Sequence, residues 1–468
     1  MLPQPTARLS FTGIISYILK QAWPILISQW AGIAFAVLDS MMLGHFSPNS
    51  LQAMALATSI YITINIGLMG VVHALIPICS QHFGAGKYEE IGNYWGQGLW
   101  LSFTLALLGG LVFLFPDVWL SFSGDIPENV RQEISIYLRI IFIALPASLM
   151  FRVIYALCTS VQKPRLVMQI NLFSIAIKAS LNWLLIFGHA GLPVMGSAGA
   201  SIATVIASWF TFFAGLWVVL KNPFYRQFKL TISLPKHKYL ADILKLGIPM
   251  GGSYLVEVSA FTFMALLAAR EGTFVSGGHQ ILSNLTGILY MMPLSIGIAT
   301  SSLTASAVGA RNFRFAHQIA MSGLFISLMG VCLSVLIVIF GKSFIIRAYT
   351  SDANVALLAG ALLTIVPLLH FSDALQCMNS YILRAYKIAI VPFIIQSVLL
   401  LGLGLGGGWY FGFGQGKGFL QPSINLLTPG APVGVSSLWI MCSFSLLICG
   451  IFLHIWYWKV INEQRKSR

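Results

Sequence analysis

Residues 23–47 read WPILISQWAGIAFAVLDSMMLGHFS, an apolar stretch with one formally charged side chain, Asp39, and one proline, Pro24. About 20 apolar residues suffice to cross a bilayer as a helix. A carboxylate at that depth costs at least ~2.5 kcal/mol and persists where it meets a cation, a proton or a cavity. The stretch is longer than the apolar core of a signal peptide, contains Asp39 and lacks a clear cleavage site, so it reads as a span. Its opening returns further along: WPILISQW at 23–30 aligns with IPMGGSYL at 248–255, and FGAGK at 83–87 with VGARN at 308–312, both at an offset of 225. LPASLMFR at 145–152 aligns with VPLLHFSD at 366–373 at an offset of 221.

The remaining sequence has the same character. Of 468 residues, 57% are hydrophobic and 9% charged, with a mean hydropathy of +0.84; about 25% charged is usual for soluble domains. Twelve apolar runs fall near 17–42, 51–78, 92–116, 134–158, 166–188, 196–220, 243–269, 277–306, 316–346, 355–381, 389–412 and 434–460. Backbone polar groups cannot stay unpaired in hydrocarbon, so each run is expected to be helical. The fold class is therefore an all-α polytopic membrane protein with twelve transmembrane helices in two pseudo-symmetric six-helix lobes. Residues 1–220 form an N-lobe, 221–242 a basic linker and 243–468 a C-lobe.

The net charge of +14 does not indicate nucleic acid, because the basic residues are scattered over short loops rather than gathered on one face. They are also biased to one side. Nineteen of the 27 Lys and Arg, including Lys87, Arg226, Lys236 and Arg384, fall in loops, tails or span ends on the side of the termini. Six, such as Arg131 and Lys417, fall on the other, and Arg152 and Lys178 lie inside spans. This places both termini and the linker in the cytoplasm. The six cysteines show no CxxC spacing and read as small buried hydrophobes. GLGLGGG at 402–408 lies in a span with no lysine of a phosphate loop after it.

Only three of the thirteen acidic residues lie inside spans: Asp39, Glu257 and Asp373. Glu257 and Asp373 share the second half, and no Lys or Arg is evident inside the same spans. Two carboxylates in one apolar bundle do not stand as a bare ionised pair, because desolvation and repulsion both disfavour the charged forms. They call for a proton, a metal cation or a cationic substrate. His370 lies three residues before Asp373 on the same helical face and is either a proton relay or a hydrogen-bonded structural histidine. In the first half Asp39 stands with Lys178, Asn182 and Arg152, the last at the repeat position of Asp373 on the offset of 221. Asp39 is expected to pair with Lys178 or Arg152, as a fixed ion pair or as one that protonation opens.

With these residues in hand, the chain resembles the multidrug and toxic compound extrusion (MATE) family, in its NorM-like bacterial branch. The resemblance rests on 23–47, on IPICSQHFGAGK at 76–87, on QKPRLVMQINLFSIAIKASLNWLLIFG at 162–188, on GGHQI at 277–281 and on SDALQCMNSYILRAYK at 372–387. It implies cation-coupled export by alternating access between two lobes. Asp39 would be the N-lobe acid of proton coupling, and Glu257 and Asp373 the C-lobe cation site, for sodium or for a proton. Asn182 matches the second asparagine of the family's N-x-x-x-N pattern in the fifth helix, whereas Lys178 replaces the first and argues against sodium beside Asp39. Leu369 stands where relatives often carry a tyrosine.

The resemblance further implies a bacterial inner-membrane protein acting as a monomer on cationic or amphipathic small molecules within the lipid bilayer, with no organic cofactor and no catalysis. A flippase for lipid-linked precursors is the second reading, since Arg152 and Lys178 could meet phosphate. An intramembrane enzyme is the third, but neither G-x-G-D nor a convincing serine–histidine motif occurs.

Overall fold

In this computed structural model residues 10–117 and 127–466 are described; Arg8 and Arg468, counted above on the terminal side, lie outside them. Twelve helical spans follow in order: α1 (Phe11–Phe46), α2 (Pro48–Gly84), α3 (Tyr88–Leu114), α4 (Glu128–Ile141 and Ala144–Ser160), α5 (Arg165–Phe187), α6 (Gly196–Lys221), α7 (His237–Glu271), α8 (Thr273–Gly309), α9 (Phe313–Tyr349), α10 (Ala353–Ala385), α11 (Ile390–Gly412) and α12 (Val433–Gln464). Eleven are long and apolar enough to cross a membrane as they stand, and α4 makes the twelfth as one span bent by 43°. No strand occurs among the described residues. Large side chains such as Phe340 (85% exposed) and Phe344 (79%) point outward from α9, as hydrocarbon contact requires.

Local chemistry sets the helix ends. Pro48 opens α2 after Ser47, whose side chain accepts from the Ser50 N–H. Asp352 caps α10 by accepting from Asn354 N and Val355 N. The α2–α3 and α8–α9 turns are copies: Lys87 N donates to His82 O and Asn312 N to Ala307 O, at 3.0 and 2.9 Å. Gly86 and Arg311, 225 residues apart, both take left-handed backbone there, which glycine adopts freely and arginine rarely. Gln162 and Lys387 form a second matched pair.

Two offsets fit the repeat because the second part of α10 is longer than that of α4, although both spans run over 33 residues. The straight part of α4, Ala144–Ser160, has 17 residues; that of α10, Val366–Ala385, has 20. Arg152 thus corresponds to Asp373 counted from the proline and to Cys377 counted from the final turn, one turn apart on one face.

The chain divides into two compact units: one is Ile27–Gly251, the other runs up to Leu26 and resumes at Gly252. These boundaries fall inside α1 and α7, 225 residues apart and each two residues past a proline, Pro24 or Pro249. The expected boundary was the 221–242 linker. Instead this segment packs within the first unit. It forms a 3-10 turn, Pro223–Phe228, and then runs extended along α3. There Gln97, fully buried, donates to Ser233 Oγ and Leu234 O at 3.1 and 3.0 Å and accepts from Lys236 N at 2.7 Å. A Cβ on Gly92 or Gly96 would collide with the Phe228 or Thr231 carbonyl, so these glycines are what lets the linker lie against the helix.

Each unit has its own core. Leu43, Phe113, Ile134, Leu138, Leu145 and Ile186 gather in the first. Met264, Leu282, Val366, Leu369, Trp439 and Leu446 gather in the second. Five cysteines are buried as expected, but Cys332 is exposed; all six are free thiols.

Candidate functional site

The first unit buries one ion pair. Asp39 on α1 accepts from Lys178 Nζ at Oδ2 (2.8 Å) and from Asn182 Nδ2 at Oδ1 (2.7 Å). Lys178 and Asn182 lie four residues apart on α5, hence on one face. Lys178 also donates to Thr204 Oγ1 on α6 at 2.6 Å and stands 5.0 Å from the centroid of the Phe35 ring. The side chains of Lys178 and Asp39 are 1% and 7% exposed. Of the two partners open to Asp39 on sequence grounds, the structure selects Lys178. Arg152 lies instead over the Tyr155 ring, 5.8 Å from its centroid. An ammonium thus lies directly on the carboxylate and neutralises it, while the Asn182 Oδ1 is buried without a hydrogen-bond partner.

The second unit is built differently. Glu257 on α7 accepts at one oxygen from two amides, Gln396 Nε2 of α11 at 3.0 Å and Gln376 Nε2 of α10 at 3.4 Å, and the Tyr290 hydroxyl of α8 also reaches it. Asp373 acts electrostatically on the same cluster, and no hydrogen bond to its carboxylate occurs among the described residues. Gln396 stands immediately before a π-helical stretch, Ser397–Gly406. That wide winding, which the glycines of 402–408 tolerate, re-aims α11 at a point where such bulges often accompany function.

The carbonyl oxygens of Gln376 and Gln396 are buried and have no hydrogen-bond partner. Carboxylate and phenol oxygens are the kind that suits hard cations such as sodium. Glu257 and Asp373 are the residues that would hold a sodium ion, with Gln376 and Gln396 positioning Glu257 through their amide N–H groups. No group of three His, Cys, Asp or Glu side chains able to hold a metal occurs among the described residues. His370 is 3% exposed, its Nε2 has no partner, and no hydrogen bond joins it to Asp373. Leu369 belongs to the hydrophobic core.

One expectation is overturned here. Arg384 is not a loop or interface cation, and the second-unit acids do have a basic residue within their bundle. Arg384 is 2% exposed. Its Nη1 donates to the Tyr254 hydroxyl at 3.3 Å, and its guanidinium lies 5.1 and 4.6 Å from the Tyr254 and Tyr381 ring centroids. The spacing 373, 376, 380, 384 follows one face of α10; that periodicity was the signal for Gln376 and Arg384. Nothing in the sequence distinguished Gln396, Thr204 or Phe35.

A broken helical repeat, one sealed ion pair and one open acidic cluster define an ion-linked membrane transporter. The family model described as MatE matches residues 24–184 and, again, 249–409, two matches set 225 residues apart like the turns above. The probable multidrug resistance protein NorM of Aromatoleum aromaticum is 32% identical over 405 residues, 86% of this chain and 87% of that protein. Its namesake in Neisseria meningitidis serogroup B is also 32% identical, over 81% of this chain and 83% of that protein. A solved eukaryotic MATE transporter superposes with a TM-score of 0.85 at 20% identity, over 98% of this chain and 99% of that one. The chain belongs to the MATE family.

Proposed function

We propose that this protein exports cationic or amphipathic small molecules across a bacterial inner membrane, driven by the inward flow of protons or sodium. The observation that carries this reading is the second-unit cluster: Glu257 and Asp373 beside amide oxygens that no protein group satisfies. Two acids in a membrane interior cannot both stay ionised without a cation, so binding and release of that cation are tied to the state of the transporter. A cation supplies positive charge at this point. Glu257 fixes its place, and Gln376 and Gln396 hold the carboxylate in position. In the first unit, protonation of Asp39 would release Lys178 and Asn182 and alter the packing of α1 on α5 and α6. The relatives named as multidrug resistance proteins support small-molecule efflux. The flippase reading loses one of its two cations, because Lys178 is already neutralised by Asp39.

The positive-inside bias supports cytoplasmic termini, and the protein acts as a monomer with neither nucleic acid nor an organic cofactor. The experiment is efflux of a cationic dye from proteoliposomes under an imposed pH gradient or an imposed sodium gradient. One gradient should drive efflux, and Glu257→Gln and Asp373→Asn should each abolish the coupled part while the protein still inserts. Undiminished coupled efflux in both variants would refute the assignment.

A further inference from the structure

A buried guanidinium normally sits against a carboxylate, because an unpaired charge in a low-dielectric interior is costly. Arg384 does not. Among the described residues no Asp or Glu forms an ion pair with it; its Nη1 donates to the Tyr254 hydroxyl, which is itself 2.6 Å from the Tyr381 hydroxyl, and its Nε has no partner. The two aromatic faces hold the group in place, and a guanidinium does not lose its proton in a protein. A fixed positive charge has thus been placed close to, but not on, an acidic cluster. Tyr254 is one turn from Glu257 on α7. On α10, Gln376 donates both to Glu257 and to Ser380 Oγ, the residue one turn before Arg384. Arg384 exerts a direct Coulombic pull on Glu257.

We propose that Arg384 is the built-in counter-charge of the Glu257–Asp373 cluster, so that the cluster with both carboxylates ionised carries one net negative charge and binds one monovalent metal cation. This rests on the reading of Glu257 and Asp373 as the cation site. Two carboxylates alone would demand two cations, or hold one too tightly for rapid release. The standing charge of Arg384 removes half of that demand without occupying the carboxylate oxygens, because the tyrosines keep it at a distance. The charged or titratable groups facing Glu257 are Arg384, Asp373 and Cys377 of α10, Tyr254 of α7, Tyr290 of α8 and Cys449 of α12. Arg384 is the one permanent cation among them.

The test counts bound ions rather than transport. Equilibrium binding of radioactive sodium is measured on purified full-length protein in nanodiscs. Wild type should bind one cation. Arg384→Gln should bind it at least tenfold more tightly. Glu257→Gln leaves Asp373 balanced by Arg384 and should bind none. The double variant Glu257→Gln/Arg384→Gln leaves Asp373 alone and should regain one cation; it also removes a charge of each sign, so it remains the decisive variant where Arg384→Gln alone does not fold. A double variant that is folded but still binds no cation overturns the proposal, as does an Arg384→Gln variant with wild-type affinity. Wild-type binding in Glu257→Gln would instead overturn the assignment of the cation site itself.

Discussion

Asp39, Lys178 and Asn182 form a closed set in which removing one member should cost more than removing two. Asp39 spends one oxygen on Lys178 and the other on Asn182, in a pocket where Lys178 is 1% exposed. Lys178→Met would strand the carboxylate, which costs roughly 3–5 kcal/mol for buried pairs. Asp39→Asn leaves Lys178 with Thr204 and the Phe35 face but without its charge partner, and should cost a similar amount. Asn182→Ala removes one hydrogen bond to a charged group, worth roughly 1.5–3 kcal/mol. In Asp39→Asn/Lys178→Met no charge remains to be stranded, so its loss should fall well short of the sum of the single variants, with a coupling energy of at least ~2 kcal/mol. The assay is reversible unfolding in mixed detergent–lipid micelles, with dye efflux measured in parallel. The double variant should recover stability without recovering efflux. Additive stability losses would show that the pair is not coupled in the folded protein, and restored efflux would show that Asp39 is structural only.

Other expectations follow from equally local features. Glu271 at the end of α7 accepts from the Gly434 and Val435 N–H groups at 2.9 and 2.7 Å, closing the first turn of α12, where a negative charge is favoured; Glu271→Ala should lower unfolding stability by roughly 2–4 kcal/mol, whereas Glu271→Gln should lose less. Gly96→Ala should push the 229–236 segment off α3 and cost roughly 1–3 kcal/mol, with new protease cleavage in that segment as the readout. On a cysteine-free background, Leu230→Cys should resist an impermeant thiol reagent in intact cells and Asn425→Cys should react; labelling of position 230 would reverse the assigned orientation.

The spans, their number and the repeat were legible because a bilayer forces long apolar segments and because turns that must be copied keep their glycine or their register. The acids stood out for the same reason: few side chains can be charged at that depth, so Asp39, Glu257 and Asp373 identified themselves. Lys178 was legible as a partner only because one acid, Asp39, lay inside the spans of its half. Arg384 was not. It occurs in ILRAYK at 382–387, which has the look of a helix end reaching for the interface, where long basic side chains extend their charges to water. Its surroundings include Tyr254, from a helix distant in sequence by 130 residues. Gln396 was hidden for another reason: its direction is set by the π-helical winding after it, which a glycine-rich apolar run permits but does not announce.

The two units therefore use the same helical frame for opposite electrical ends. In the first, an ammonium lies directly on the carboxylate and each of its oxygens accepts one hydrogen bond; on the proposed reading a proton delivered to Asp39 releases the partners. In the second, the guanidinium is held off by tyrosine rings, the carboxylates keep oxygens available, and the amides that position Glu257 have acceptors to spare. A pair in contact competes with any incoming metal ion and leaves protonation as the available event. A pair kept apart lowers the net charge without blocking the site. On the proposed reading, the distance between basic and acidic group, more than the number of acids, sets which unit favours a metal cation. On the proposed reading, Lys178 in place of an asparagine leaves protonation of Asp39, rather than binding of a metal ion, as the event that opens this cluster.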